Sequence, residues 1–223
     1  RKAEARKKQK TIDIKEIKMR PGIDDNDYNY VPKTIPALPG DWAGWSYEAA
    51  VSNVLELYGA TDTERLVKEA AASFHHPEVA PIVEVGDRMV LELFWGPTLS
   101  FKDHALQVVA RLLEREVDDG LILGATSGDT GAAAIEACRG REALMVVILF
   151  PEGRVSAFQR KQMTTVNERN TRAVAVRGTF DDCQRMVKEA FAAYPHLLAV
   201  NSINWARVAA QIGYHVSAGA RIG

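Results

Sequence analysis

From position 88 onward the sequence predicts an α/β protein, a parallel sheet flanked by helices, preceded by a mostly helical N-terminal region. Strand-like apolar runs alternate with helix-like runs on links of a few residues, which is the pattern of strand–helix–strand units. The run Leu144-Met-Val-Val-Ile-Leu-Phe150 is apolar throughout, as expected of a strand covered on both faces. A second run, Leu121-Ile-Leu-Gly-Ala-Thr126, breaks into Ser127-Gly-Asp-Thr-Gly131 before the next helix-like stretch. Ligands of such sheets bind beyond the carboxyl ends of the strands, where that turn and Lys102 fall.

Taken in order, Thr11 to Met19 alternates apolar and polar residues and reads as a half-buried or edge strand. Pro21-Gly22 and the acidic run Asp24-Asp25-Asn26-Asp27 close it. Residues 30–45 are rich in turns, with Pro32, Pro36, Pro39 and Gly40. Between Ser46 and Phe74 the spacing is helical. Ala49, Val51, Val54 and Leu57 make one apolar face, and Leu66, Ala70 and Ala71 make another. Strands are then expected near 89–95, 121–126, 144–150, 172–177 and 198–201. Helices are expected near 102–116, 130–139, 156–165, 181–194 and 204–221.

A chain of 223 residues with 47% hydrophobic content can bury one domain or one and a half. Its net charge of −1 conceals an asymmetry, because residues 1–20 hold nine Lys/Arg against three Asp/Glu. That short arm is the only nucleic-acid footprint, and the mildly acidic body argues against nucleic acid as a partner. Cys138 and Cys183 are far apart and lack metal-ligand spacing, so no metal is expected and a reduced, cytoplasmic protein is favoured. No apolar run reaches membrane-spanning length. The first residue is Arg, and the chain is expected to be a fragment or a processed product.

The chemistry concentrates at two turns. Phe101-Lys102-Asp103 places one lysine where an apolar segment becomes a helix. A partly desolvated amine there can lose its proton and form an imine with a carbonyl compound. Ser127-Gly-Asp-Thr-Gly131 offers backbone N–H groups and a helix N-terminus to an anion. Other polar residues have plainer readings. His75-His76 precede a proline turn and are expected to be structural, His104 either lines the site or packs, and Cys183 reads as a small core residue. No phosphate-binding P-loop, dinucleotide fingerprint or zinc spacing is present.

These residues resemble the threonine synthase family of fold-type II pyridoxal-phosphate enzymes. Phe94-Trp-Gly-Pro-Thr-Leu-Ser-Phe-Lys-Asp103 is similar to its cofactor-lysine motif, with Trp95 where His is more usual. Similar in turn are Tyr30-Val-Pro-Lys-Thr-Ile-Pro36, Gly124–Gly131, Leu149–Ser156, Gln162-Met-Thr-Thr165, Gly178–Gln184 and Asn201-Ser-Ile-Asn-Trp-Ala-Arg207. The resemblance implies pyridoxal 5'-phosphate as cofactor and O-phosphohomoserine and water as substrates of a reaction giving threonine and phosphate. It implies that Lys102 carries the cofactor and then shuttles protons, with Asp129 near the cofactor 3-hydroxyl. Ser127, Gly128, Thr130 and Gly131 would bind the substrate carboxylate. Ser202, Asn204 and Arg207 would bind its phosphate, with Arg154 and Arg160 as further candidates. It also implies three segments: a basic arm over 1–29, an N-terminal region over 30–87, and an α/β core over 88–223 that is incomplete at its C-terminus. Arg6 to Asp24 instead resembles the linker and first strand of the C-terminal domain of translation initiation factor 3. The alternatives are another fold-type II lyase of the serine/threonine dehydratase kind, and a ribosome- or RNA-contacting fusion acting through the arm.

Overall fold

A computed structural model of the chain describes residues 19–21, 30–32, 34–194, 196–201 and 204–222. The basic arm before Met19 lies outside the described residues, as does most of the segment resembling the initiation factor. Strands β1 (Met19–Pro21) and β2 (Tyr30–Pro32) pair antiparallel. Two helices follow, α1 (Tyr47–Leu57) and α2 (Thr63–Ala71). Ser46 caps α1 by accepting the Ala49 N–H, which satisfies one of the donors every helix start leaves open. The apolar face of α1 is broader than its spacing implied. Tyr47, Ala50, Val51, Val54 and Leu55 are buried, because the helix is gripped on two sides.

The expected strand at 89–95 is shorter and belongs elsewhere. Strand β4 (Arg88–Leu91) pairs antiparallel with β3 (Ile82–Val85) in a separate hairpin. Gly86, at φ +66°, turns the chain back on itself there, so the antiparallel neighbour is the nearest one available. Helix α3 (Lys102–Glu116) comes next, and from it onward the alternation is regular. Strand β5 (Gly120–Ala125), helix α4 (Asp129–Cys138), strand β6 (Leu144–Pro151), helix α5 (Ala157–Thr164) and strand β7 (Thr171–Val176) follow in turn. Helices α6 (Phe180–Ala193) and α7 (Trp205–Ile222) complete the chain. The sheet is parallel in the order β5-β6-β7, and the expected strand at 198–201 is reduced to a parallel bridge from Leu198 to Ile122.

One face of this sheet is a dry core. Ile122, Leu144, Val146, Ile148 and Phe150 pack on the alanine-rich α4 and on Leu106, Val109 and Ala110 of α3. The other face is covered less completely than the unbroken apolar run implied, and Met145 stays 43% exposed. A second core lies on the opposite side of α3. There Ala105 and Val108 meet α1, α2 and α7 through Val51, Leu55, Leu66, Val67, Ala209 and Tyr214.

Helices α1 and α7 cross at their tightest at Gly213. A Cβ built there would sit 2.5 Å from Val51 Cγ2 and 2.8 Å from the Val51 Cα. Helix propensity alone would make alanine better by about 1 kcal/mol, but a backbone atom cannot swing aside, and overpacking costs about 1–3 kcal/mol. Gly213→Ala is therefore expected to destabilise the fold by up to about 2 kcal/mol, as a lowered denaturation midpoint with unchanged slope in urea.

Candidate active site

Each expected site segment except the lysine's leaves the carboxyl end of a strand aligned in the parallel sheet. Residues 126–131 leave β5, residues 152–156 leave β6, and 201–207 follow the Leu198 bridge. Lys102 reaches the same place from a turn, Gly96 to Ser100, that follows the hairpin. That turn is built on Asp103, which is wholly buried and accepts from the Thr98 N–H at 2.8 Å and the Thr98 hydroxyl at 2.7 Å. Gly96 is required beneath it, since a Cβ would collide with the Asp103 carboxylate. Leu99 takes a left-handed φ of +61°, a conformation that costs a residue with a Cβ about 1–2 kcal/mol. The Gln162 side chain donates to the Thr98 carbonyl at 2.8 Å and ties the turn to α5.

At the head of α3 the Lys102 ammonium stands 3.4 Å from Asp129 Oδ2 and 4.1 Å from the centroid of the Phe101 ring. Its side chain is 18% exposed, and Asp129 is its one hydrogen-bonding partner among the described residues. The other oxygen of Asp129 accepts from Gln159 Nε2 at 2.6 Å. Twenty-seven positions separate the lysine from its carboxylate, and the fold closes that gap.

The turn after β5 divides into two kinds of amide. Buried Thr126 accepts at its hydroxyl from the Gly128 N–H at 3.0 Å and the Gly131 N–H at 2.9 Å. Those two amides hold the turn together. Among the described residues the N–H groups of Ser127, Asp129 and Thr130 have no internal acceptor. Three donors are thus left unbonded at the start of α4, where the helix dipole favours negative charge. Gly131 also fills a packing role, as a Cβ there would lie 2.5 Å from Thr126 Cγ2 and 2.8 Å from Met163 Sδ.

The remaining candidates are placed as follows. Arg154 and Arg160 are exposed and have no carboxylate partner among the described residues. Asn204 caps α7, its Oδ1 accepting the Ala206 N–H at 3.0 Å. Arg207 is turned inward, 2% exposed, and donates to the Val200 carbonyl at 3.1 Å. Burial pulls its guanidinium below the ordinary range, and no carboxylate faces it among the described residues. Ser202 lies outside the described residues. The sequence reading missed Gln159, Thr126 and Thr98. The sole signal for Gln159 was a Ser-x-x-Gln spacing at the start of α5, and it proves to be a full capping box with Ser156.

A match to the family model described as pyridoxal-phosphate dependent enzyme runs over residues 89–221, more than half of the chain. The chain belongs to this family. Among curated relatives, threonine synthase of Pseudomonas aeruginosa is 42% identical, over 87% of this chain and 45% of its own length. Threonine synthase of Saccharomyces cerevisiae is 39% identical over 92% of this chain and 46% of its own length. The pyridoxal-phosphate-bound crystal structure of threonine synthase from Brucella melitensis superposes with a TM-score of 0.78 at 40% identity, covering 87% of this chain and 46% of that one. The chain thus spans less than half the length of these relatives. No helix among the described residues is long and apolar enough to cross a membrane, and no metal-binding cluster occurs among them.

His104, two residues beyond the lysine, packs and does not line the site. It is wholly buried, with Nδ1 3.0 Å from the Tyr47 hydroxyl and the Phe74 and Tyr214 rings 4.6 and 5.3 Å away. Burial pushes its imidazole from 6.5 down to about 4, offset in part by the Leu93 backbone. The folded protein therefore keeps this ring neutral while the unfolded chain takes up a proton below pH 6.5, so stability falls as pH drops from 6.5 toward 4. Buried Asp103, whose carboxyl is raised by burial, acts in the opposite direction. The difference between wild type and His104→Gln isolates the histidine. Unfolding in urea at pH 7 and pH 4.5 is expected to show a wild-type loss steeper than the variant's by roughly 2–3 kcal/mol.

Proposed function

We propose that this chain is the lysine-bearing half of a threonine synthase, acting with pyridoxal 5'-phosphate on O-phosphohomoserine and water to give threonine and phosphate. The contact that carries the reading is the 3.4 Å pair of Lys102 and Asp129 beside three unbonded amides. The relatives' names, and their identity over most of the chain, supply the reaction.

The residues present fit such a cofactor. A little-exposed amine with a single carboxylate partner can be released from that partner to react with a carbonyl carbon. When bound, the cofactor would supply an electron sink for the pair left as a proton leaves the substrate Cα. Lys102 Nζ would take that proton and a second one from Cβ, being a flexible amine within reach of both. Asp129, held by Gln159, would face the cofactor's 3-hydroxyl. The Ser127 and Thr130 side chains and the amides of 127, 129 and 130 would hold the substrate carboxylate. Gly128 and Gly131 would act through the shape of the turn, their own amides being spent on Thr126.

The substrate phosphate, which leaves from Cγ as water adds at Cβ, needs fixed positive charge. Arg154, Arg160 and Arg207 lack carboxylate partners among the described residues, and a guanidinium forks onto phosphate oxygens. Asn204 and Ser202, from the same Asn201–Arg207 segment of the sequence, complete the proposed set. The buried free cysteines Cys138 and Cys183 suit a reducing, cytoplasmic compartment. We further assign residues 1–29 to an appended arm of initiation-factor character, residues 30–87 to an N-terminal region, and residues 88–223 to the catalytic core.

Added pyridoxal phosphate is expected to produce an absorbance band at about 410–430 nm that is absent in Lys102→Ala. With the complementary half supplied, the same substitution is expected to lower kcat by roughly 10²–10⁴-fold or more. A band unchanged in Lys102→Ala would remove the lysine from the role.

A further inference from the structure

We infer that Gln159 is a positioning residue for the site: its side-chain amide aims the Asp129 carboxylate at Lys102. Asp129 has two oxygens and two partners, Gln159 Nε2 at 2.6 Å on Oδ1 and Lys102 Nζ at 3.4 Å on Oδ2. With one oxygen held by the amide, the other is the one turned toward the lysine.

The orientation of that amide is itself determined. Gln159 Oε1 accepts the Ser156 N–H at 3.2 Å, while the Gln159 N–H donates to Ser156 Oγ at 3.1 Å. The carbonyl end of the side chain is therefore committed to the start of α5, which leaves the NH₂ end for Asp129. A carboxylate accepts and cannot donate, so the reversed amide would set oxygen against oxygen. Space is reserved as well. Gly128 has φ +153°, and a Cβ there would collide with the Gln159 amide. The conformation that only glycine adopts readily in the turn is the one that lets α5 reach across it.

The inference rests on the proposed pairing of Lys102 with Asp129 and names what holds that pair in register. It also gives the neighbouring positions different tasks. Gln159 faces the site and is half-buried, whereas Arg160 is exposed.

Two substitutions separate positioning from helix capping. Gln159→Glu keeps an oxygen for the Ser156 N–H but replaces the donor with a second carboxylate. Ser156→Ala removes the capping hydroxyl and leaves the amide able to reach Asp129. Two readouts apply to each protein: the dissociation constant for pyridoxal phosphate, and the rate at which Lys102 is reductively methylated without cofactor, followed by peptide mass spectrometry. In Gln159→Glu, cofactor binding is expected to weaken about tenfold or more, the scale of a lost hydrogen bond to a charged group. Lys102 is expected to react roughly threefold slower, because the added carboxylate increases the negative charge beside its ammonium and holds the proton on it. Ser156→Ala is expected to match wild type in both within about twofold, as is a helical content retained by both variants in circular dichroism. Gln159→Leu, which removes the donor and adds no charge, is expected to weaken cofactor binding less than Gln159→Glu does and to speed Lys102 methylation roughly threefold, because the ammonium loses a well-aimed counter-charge. Equal Lys102 rates in wild type, Gln159→Glu and Gln159→Leu would overturn the inference, as would Ser156→Ala reproducing the effects of Gln159→Glu. If wild type binds no pyridoxal phosphate while the methylation rates still separate as expected, the cofactor reading fails and the positioning role stands.

Discussion

The site depends on the first two turns of α3 being buried on every side. From Asp103 to Ala110 each residue is enclosed. Leu106, Val109 and Ala110 face the sheet core, while Ala105 and Val108 face the helical core of α1, α2 and α7. A helix held between two cores cannot slide or roll without opening one of them, and close-packed interiors resist such shifts. Lys102 is the residue immediately before this clamped stretch. Its backbone is thus as fixed as any core residue, while its side chain emerges at 18% exposure where the packing stops. An amine that must meet a ligand in one geometry is served by that arrangement: a rigid base and a free tip.

Around the lysine the turns are organised by buried acceptors that gather backbone donors. Thr126 Oγ1 takes two amides of the turn after β5, and the Asp103 carboxylate takes two donors from Thr98. In each case a buried polar group is satisfied locally, so the cost of burying it is offset by bonds that shape the turn. The division of labour among the five amides of Ser127–Gly131 follows from this. Two close the turn, and three have no acceptor among the described residues. Glycine is needed at 128 and 131 for room, since the Gln159 amide lies against one and Thr126, Ile148 and Met163 against the other.

Much of this was legible in the sequence, and what was not has definable causes. The helices at 102–116, 130–139 and 181–194 and the strands at 121–126, 144–150 and 172–177 were readable because their periods are undisturbed and Gly or Pro punctuates them. The strand at 89–95 read as part of the same series because alternation reports a pleated strand and not its neighbour. Only the turn at Gly86-Asp87 selects the antiparallel hairpin. Lys102 stood out as the lysine closing a polar break between apolar runs, while Asp129 was named through the family resemblance, and the structure brings the two within 3.4 Å. Gln159 was not, since a glutamine at the third position of a helix is so often a cap that nothing in one dimension marks its second bond. Arg207 was named as a phosphate ligand, and nothing in its spacing marked that α7 turns it inward to the Val200 carbonyl, since arginine is seldom buried.

That buried guanidinium has a bearing on why the site lies where it does. A charge removed from water is retained at a cost of several kcal/mol unless another charge answers it, and no carboxylate does so among the described residues. Stability gives no reason to keep an arginine at position 207, since an apolar side chain of similar volume would pack there without that cost. The phosphate proposed to bind beside the start of α7 would give one. The same asymmetry holds for Arg154 and Arg160, which stand exposed with no acidic partner among the described residues. The chain's acid side chains are not scarce, as 29 Asp and Glu against 28 Lys and Arg make clear. Their absence from these three arginines therefore reflects placement and not composition, and it leaves positive charge unanswered among the described residues of the segments that follow β6 and the Leu198 bridge.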